Sequence, residues 1–136
     1  MNERTVLFVC LHGAAKSVIA ANHCQRLAND AGVAIRATFA GTEPDPEIAP
    51  VAAAGLLAEG IDVRDQSTHR VTSAELHQAW RVVSFGCDLQ DLAPDVHVER
   101  WDDVPAVSAS YRAARDAIVA RLPRLVEASA TSRPGR

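Results

Sequence analysis

The sequence predicts an α/β fold with a parallel sheet covered by helices on both faces. Two observations carry this prediction. Short apolar runs rich in Val, Ile and Phe alternate with helix-like stretches, the pattern of successive βαβ units. The first run, Val6-Leu7-Phe8-Val9, is apolar at every position, as in a strand buried on both sides. At 136 residues the chain makes one domain with a substantial core. Hydrophobic residues make up 48% and aromatic residues only 4%, so that core is built from Val, Ala, Leu and Ile.

The elements follow in order. Residues 4–10 form the first strand. A helix runs from Ser17 to about Ala31, with Ser17 as its cap or first-turn residue and Val18, Ile19, Leu27 and Ala28 near one apolar side. His23 and Cys24 on this helix read as surface and packing residues, because they lack partners at metal-ligand spacing. The second strand spans Val33 to Ala40 and ends at Gly41-Thr42. Glu43-Pro44-Asp45-Pro46-Glu47 reads as a solvated loop, with its acids favourable before a helix from Ile48 to Ala58 that Gly60 stops. Ile61 to Arg70 is irregular and polar, and His69 reads as a surface residue. Thr72-Ser73-Ala74-Glu75 is a capping box opening a short third helix. Arg81 to Phe85 is the third strand, Gly86 to Pro94 a loop, and Val96 to Trp101 the fourth strand. Ser108 opens the last helix, with Tyr111, Ile118, Leu122 and Leu125 along one stripe and a kink or interruption at Pro123. The domain is expected to span residues 1–127, with residues 128–136 as a disordered tail.

Composition narrows the function. A net charge of -3 gives no nucleic-acid footprint. No run of eighteen apolar residues is present, so no membrane span is expected. The N-terminus enters a strand at once, which argues against a secretory signal. Three cysteines, at spacings unlike a disulfide framework or a zinc cluster, suit a reducing cytoplasm. No metal or other cofactor is implied.

Chemistry concentrates at Cys10-Leu11-His12-Gly13-Ala14-Ala15-Lys16-Ser17. A buried strand feeds a short Gly/Ala loop that opens a helix. Such a loop turns its amides toward one point, and the helix N-terminus adds its positive dipole end. The same field stabilises a thiolate at Cys10. The loop therefore offers a nucleophile and an oxyanion site together, with Leu11 through Lys16 as the cradle. The plainer alternative is a buried strand-end cysteine in an ordinary strand-to-helix turn. A Walker-type nucleotide loop is excluded, because its glycines are missing.

The spacing of Cys10, five residues, Lys16 and Ser17 resembles the Cys-x5-Arg-Ser phosphate loop of the low-molecular-weight protein tyrosine phosphatase superfamily, which includes thioredoxin-coupled arsenate reductases. The resemblance extends to Ala40-Gly41-Thr42, Gly60-Ile61-Asp62 and Val82-Val83-Ser84-Phe85. It implies a three-layer fold with four parallel strands in the order 2-1-3-4, and it places Cys10 where that order reverses. It also implies that Cys10 attacks phosphorus or arsenic, Lys16 grips the oxyanion and Ser17 donates to the thiolate. The departure is Lys16, an ammonium where the family has a two-pronged guanidinium. It is the only lysine among 14 Lys and Arg residues, which points to a lysine wanted for a different ligand.

The resemblance further implies a general acid in an Asp-Pro pair after the fourth strand. Here the segment is Trp101-Asp102-Asp103-Val104-Pro105-Ala106-Val107. One alignment puts the acid position on Ala106. A one-residue slip makes Asp103 the candidate acid, with Asp102 as a lesser one, and a solvated acidic turn is the alternative. The reductase branch implies resolving thiols after the third strand. Cys87 stands one residue from the first, as a possible redox partner of Cys10, and Leu92 or Ala93 replaces the second. The phosphatase branch also implies aromatics beside the site. Tyr111 is the only tyrosine, which argues against phosphotyrosine as substrate. Three functions are therefore expected: a diverged phosphatase-like enzyme acting on a phosphate ester, a thiol-dependent arsenate reductase using Cys10 and Cys87 with a thiol reductant, or a non-catalytic oxyanion-binding or regulatory protein. Phosphate, arsenate or a similar oxyanion is the ligand in each.

Overall fold

β1 (Arg4–Cys10) is the central strand, and its residues alternate between two apolar layers. Val6, Phe8 and Cys10 enter one layer and Leu7 and Val9 the other. The computed structural model describes residues 3–131. β2 (Ile35–Gly41) and β3 (Arg81–Phe85) flank β1, both parallel to it, and the two-residue β4 (Glu99–Arg100) pairs with β3. The sheet order is β2-β1-β3-β4, the order implied by the resemblance.

α1 (Lys16–Ala31), α2 (Pro50–Ala58), α4 (Tyr111–Val119) and α5 (Leu122–Thr131) supply the layer that holds Phe8. α3 (Ser73–Gln78) contributes Leu76 to the opposite layer. Both faces of the sheet are thus covered, as the apolar run of β1 demands. Phe8, Phe85 and Trp101 form an aromatic knot with ring centroids 5.8 to 6.4 Å apart, which secures the chain as it leaves β4.

Several boundaries differ from expectation. α1 starts at Lys16 with Ala15 before it, so Ser17 is a buried first-turn residue rather than a cap. β2 begins at Ile35 and α2 at Pro50, each two residues late. The capping box of Thr72 and Glu75 is formed. The fourth strand shrinks to Glu99–Arg100, because Val96 and Val98 pack against the Leu7 layer as irregular chain. The last helix opens at Tyr111 on a Ser110 cap and breaks before Leu122, which puts Pro123 in the first turn of α5, where a missing amide costs little. α5 continues to Thr131, so the expected tail does not begin at residue 128; residues 132–136 lie outside the described residues.

One polar cluster ties the helices together. Glu59, just after α2, accepts hydrogen bonds from Tyr111 Oη at 2.7 Å and Arg115 Nε at 2.8 Å, and lies 3.3 Å from His23 Nε2. His23 is buried rather than on the surface. Burial holds its imidazole below the ordinary 6.5, against the upward pull of Glu59, so the ring is neutral at pH 7. Burial pushes the Glu59 carboxyl up, but the hydrogen bonds from Tyr111 and Arg115 outweigh it and hold the group below its ordinary 4.5. Both shifts have the same consequence. The unfolded chain binds more protons than the native one, so stability falls as pH drops below 6.5 through His23, and again below 4.5 through Glu59. Glu59→Gln should cost about 1–3 kcal/mol in denaturant melts at pH 7 and flatten the acid part of that dependence. Unchanged melts would place the joint between these helices elsewhere.

Candidate active site

The loop after β1 is held by its carbonyls, and this leaves its amides free. Cys10 O accepts from Thr42 N at 3.3 Å, Leu11 O from Glu43 N at 2.7 Å, and His12 O from Asp45 N at 2.9 Å. Ala14 O accepts from Ala49 N at 2.9 Å and Ala15 O from Ile19 N at 3.0 Å. Among the described residues, no protein acceptor takes the amides of Leu11 through Ala15 or the first-turn amides of Lys16 and Ser17. A run of unsatisfied donors at a helix N-terminus is an anion nest. The loop reaches this shape because Gly13 adopts φ 56° and its Cα packs directly against the backbone of Gly41 at the end of β2.

Cys10 and Ser17 meet as expected. Cys10 Sγ lies 3.1 Å from Ser17 Oγ, and both residues are buried. Ser17 can therefore donate to a thiolate, whose remaining stabilisation comes from the loop and the helix end. Lys16 is half-buried at the start of α1 and has no carboxylate partner among the described residues. Its charge remains available to an anion. Cys10, Leu11, His12, Ala14, Ala15 and Lys16 all line one cavity of about 360 Å³, of which Phe85, Pro50, Val51, Ala106 and Val107 form much of the apolar wall.

The expected acids are not brought here. Asp103 points away from the cavity and makes two hydrogen bonds to Arg121 Nη2, at 2.7 and 2.8 Å. That contact and the charge of Arg121 hold its carboxyl below the ordinary range, the opposite of what an acid needs. Asp102 accepts from Gly86 N at 2.8 Å and Arg100 Nε at 2.8 Å. The cavity wall on that side includes Ala106, Val107 and Ser108. Cys87 packs in the opposite layer with Leu7 and Val9, 3.9 Å from Thr42 Oγ1. Burial pushes its thiol up, and a negative charge on Cys10 adds to the shift. Cys24 lies in the core, its thiol pushed up to about 12 by burial, and is inert. Among the described residues no three His, Cys, Asp or Glu side chains gather as a metal site.

Asp45, which reads as solvated, and Arg70, which the sequence allows to approach the loop, both shape the site. Asp45 lines the cavity and lies 3.3 Å from His12 Nδ1. Arg70 Nη1 donates to Thr42 O at 2.7 Å and braces the strap that holds the loop, while His69 pairs with Glu75 on the surface. The available signal was positional. Asp45 comes three residues after Thr42, beyond the carboxyl end of a strand next to β1, where open α/β sheets bind ligands.

The sequence model of the family described as low molecular weight phosphotyrosine protein phosphatase matches residues 5–116. The structure of YfkJ from Bacillus subtilis is similar, with a TM-score of 0.83 and 20% identity over 94% of this chain and 95% of that one. A thioredoxin-dependent arsenate reductase of Corynebacterium glutamicum has a TM-score of 0.79 and 24% identity over 96% of this chain and 64% of that one. The tyrosine phosphatase Wzb from Escherichia coli K30, solved in complex with sulphate, has a TM-score of 0.78 and 15% identity over 93% of this chain and 98% of that one. Comparison with curated proteins gave no match.

Proposed function

The chain belongs to the low molecular weight phosphotyrosine protein phosphatase family, and from that premise we propose that it is a thiolate-dependent hydrolase of phosphate esters. The observation that carries this is the 3.1 Å Cys10–Ser17 contact beneath a loop of unused amides. Cys10 attacks phosphorus, and its sulfur–phosphorus bond forms as the ester bond breaks. The amides of Leu11 to Ser17 take the equatorial oxygens, and Lys16 adds a point charge in place of a two-pronged guanidinium. Water then attacks phosphorus and releases the thiolate. The sulphate held by Wzb supports an oxyanion of this shape as the ligand. The apolar wall of Phe85, Pro50, Val51 and Val107 holds one aromatic ring and no tyrosine or tryptophan. Tyr111 is committed to Glu59.

Two other readings give different results in one assay set. Purified protein should hydrolyse an aryl phosphate, inorganic phosphate should slow alkylation of Cys10, and Lys16→Ala should raise KM about tenfold or more through loss of a charge-assisted contact. Phosphate protection without any turnover would make the protein an oxyanion binder. Thiol-dependent arsenite release, lost in Cys87→Ser, would make it a reductase.

A further inference from the structure

The cavity lacks an acid on the β4 side, yet it carries an imidazole and a carboxylate on the opposite rim. His12 and Asp45 both line it, each about half exposed, at 55% and 50%. The ring of His12 is fixed by its surroundings. Its Nδ1 lies 3.3 Å from Glu43 O and 3.3 Å from Asp45 Oδ1. Both neighbours are acceptors, so Nδ1 carries the proton. The strap supplying them is itself zipped to the loop through Leu11 O and His12 O, at 2.7 and 2.9 Å. That leaves the free lone pair on Nε2, and no described residue partners it. A histidine that keeps Nδ1 against a backbone carbonyl and a carboxylate, and that lines the nucleophile's cavity, has the arrangement of a proton-transfer group.

Resting on the phosphate-ester reading above, we infer that His12 is the general acid and base of this site and that Asp45 is its positioning residue. In the first step the Cys10 thiolate forms the sulfur–phosphorus bond. The ester phosphorus–oxygen bond breaks, and its electron pair stays on the leaving oxygen. Protonated His12 gives its Nε2 proton to that oxygen, and Asp45 offsets the charge on the ring before transfer. In the second step neutral Nε2 takes a proton from water as the water oxygen attacks phosphorus. The sulfur–phosphorus bond breaks, Cys10 returns as thiolate and His12 returns protonated. Phosphate and the alcohol are the products, and no other reactant is consumed. The assignment makes the protein competent on esters of basic alcohols, whose leaving oxygen departs only with a proton.

The test is the dependence of turnover on leaving-group basicity, measured on the full chain with a series from para-nitrophenyl phosphate to simple alkyl phosphates. His12→Gln should lose on the order of 10²-fold more rate on the alkyl ester than on the nitrophenyl ester. Asp45→Asn should fall between wild type and His12→Gln in the same series. Added imidazole should restore alkyl-ester turnover to His12→Ala, a rescue that a purely structural role would not give. Thermal melts would exclude variants that fail to fold, and the wild-type slope, shallow if a proton is supplied, tests the assignment without any variant. An equal loss on both esters, or none, overturns the role of His12 and leaves the phosphatase reading standing. No hydrolysis of any ester by wild type overturns both.

Discussion

Cys10→Ser is expected to lower turnover of an aryl phosphate by on the order of 10⁴-fold or more while phosphate still binds. A serine hydroxyl keeps the hydrogen bond to Ser17 that the thiol makes at 3.1 Å. It does not ionise in this setting, because an alcohol is a far weaker acid than a thiol and the cradle cannot supply the much larger shift it would need. The carbonyl contacts that shape the loop involve backbone alone, so the anion nest survives the substitution. Steady-state kinetics with phosphate competition read both quantities. Retained turnover would require another nucleophile. The alternatives are poor: Cys24 is sealed in the core and Cys87 is pushed up by burial in the opposite layer. Loss of phosphate binding together with turnover would instead mean that the thiol shapes the loop.

The contrast between what the sequence told and what it hid follows from the range of the interactions involved. The parallel sheet was legible because an unbroken apolar run at residues 6–9 has one stable home, a strand covered on both faces. The cradle was legible because it is backbone chemistry, set by Gly13 and a following helix. Asp103 was misplaced for the opposite reason. Its direction depends on Arg121, 18 residues further along on the link between α4 and α5, which no local pattern announces. The link from His12 to the loop of Glu43 and Asp45 likewise crosses 31 residues to Glu43 and is visible only once β2 lies beside β1. The fourth strand failed for a related reason. Val96 and Val98 look like strand residues, but burial against Leu7 and Val9 satisfies them without ladder hydrogen bonds.

Gly13→Ala should destabilise the fold by about 3 kcal/mol or more and cost at least ~10²-fold in kcat/KM, and a second glycine shows why. At Gly32 the backbone is also left-handed, with φ 68°, but a Cβ there would meet nothing within 4 Å. Gly32→Ala therefore carries the conformational penalty alone, roughly 1–2 kcal/mol, far from the cavity. At Gly13 the same penalty applies at φ 56°, and the new Cβ would lie 2.6 Å from Gly41 N and 2.8 Å from Ala40 C. Those atoms are sheet backbone, so they cannot swing aside as a side-chain end would. The loop must move instead, and a displacement of even about 1 Å takes its amides out of register with the oxyanion. Gly41 repeats the constraint from the other side, since its own Cβ would meet Gly13 N at 2.6 Å. Melts and kinetics of the two variants separate the effects. Equal destabilisation with full activity in Gly13→Ala would mean the loop tolerates displacement, and the close approach of Gly13 and Gly41 would then be packing without catalytic consequence.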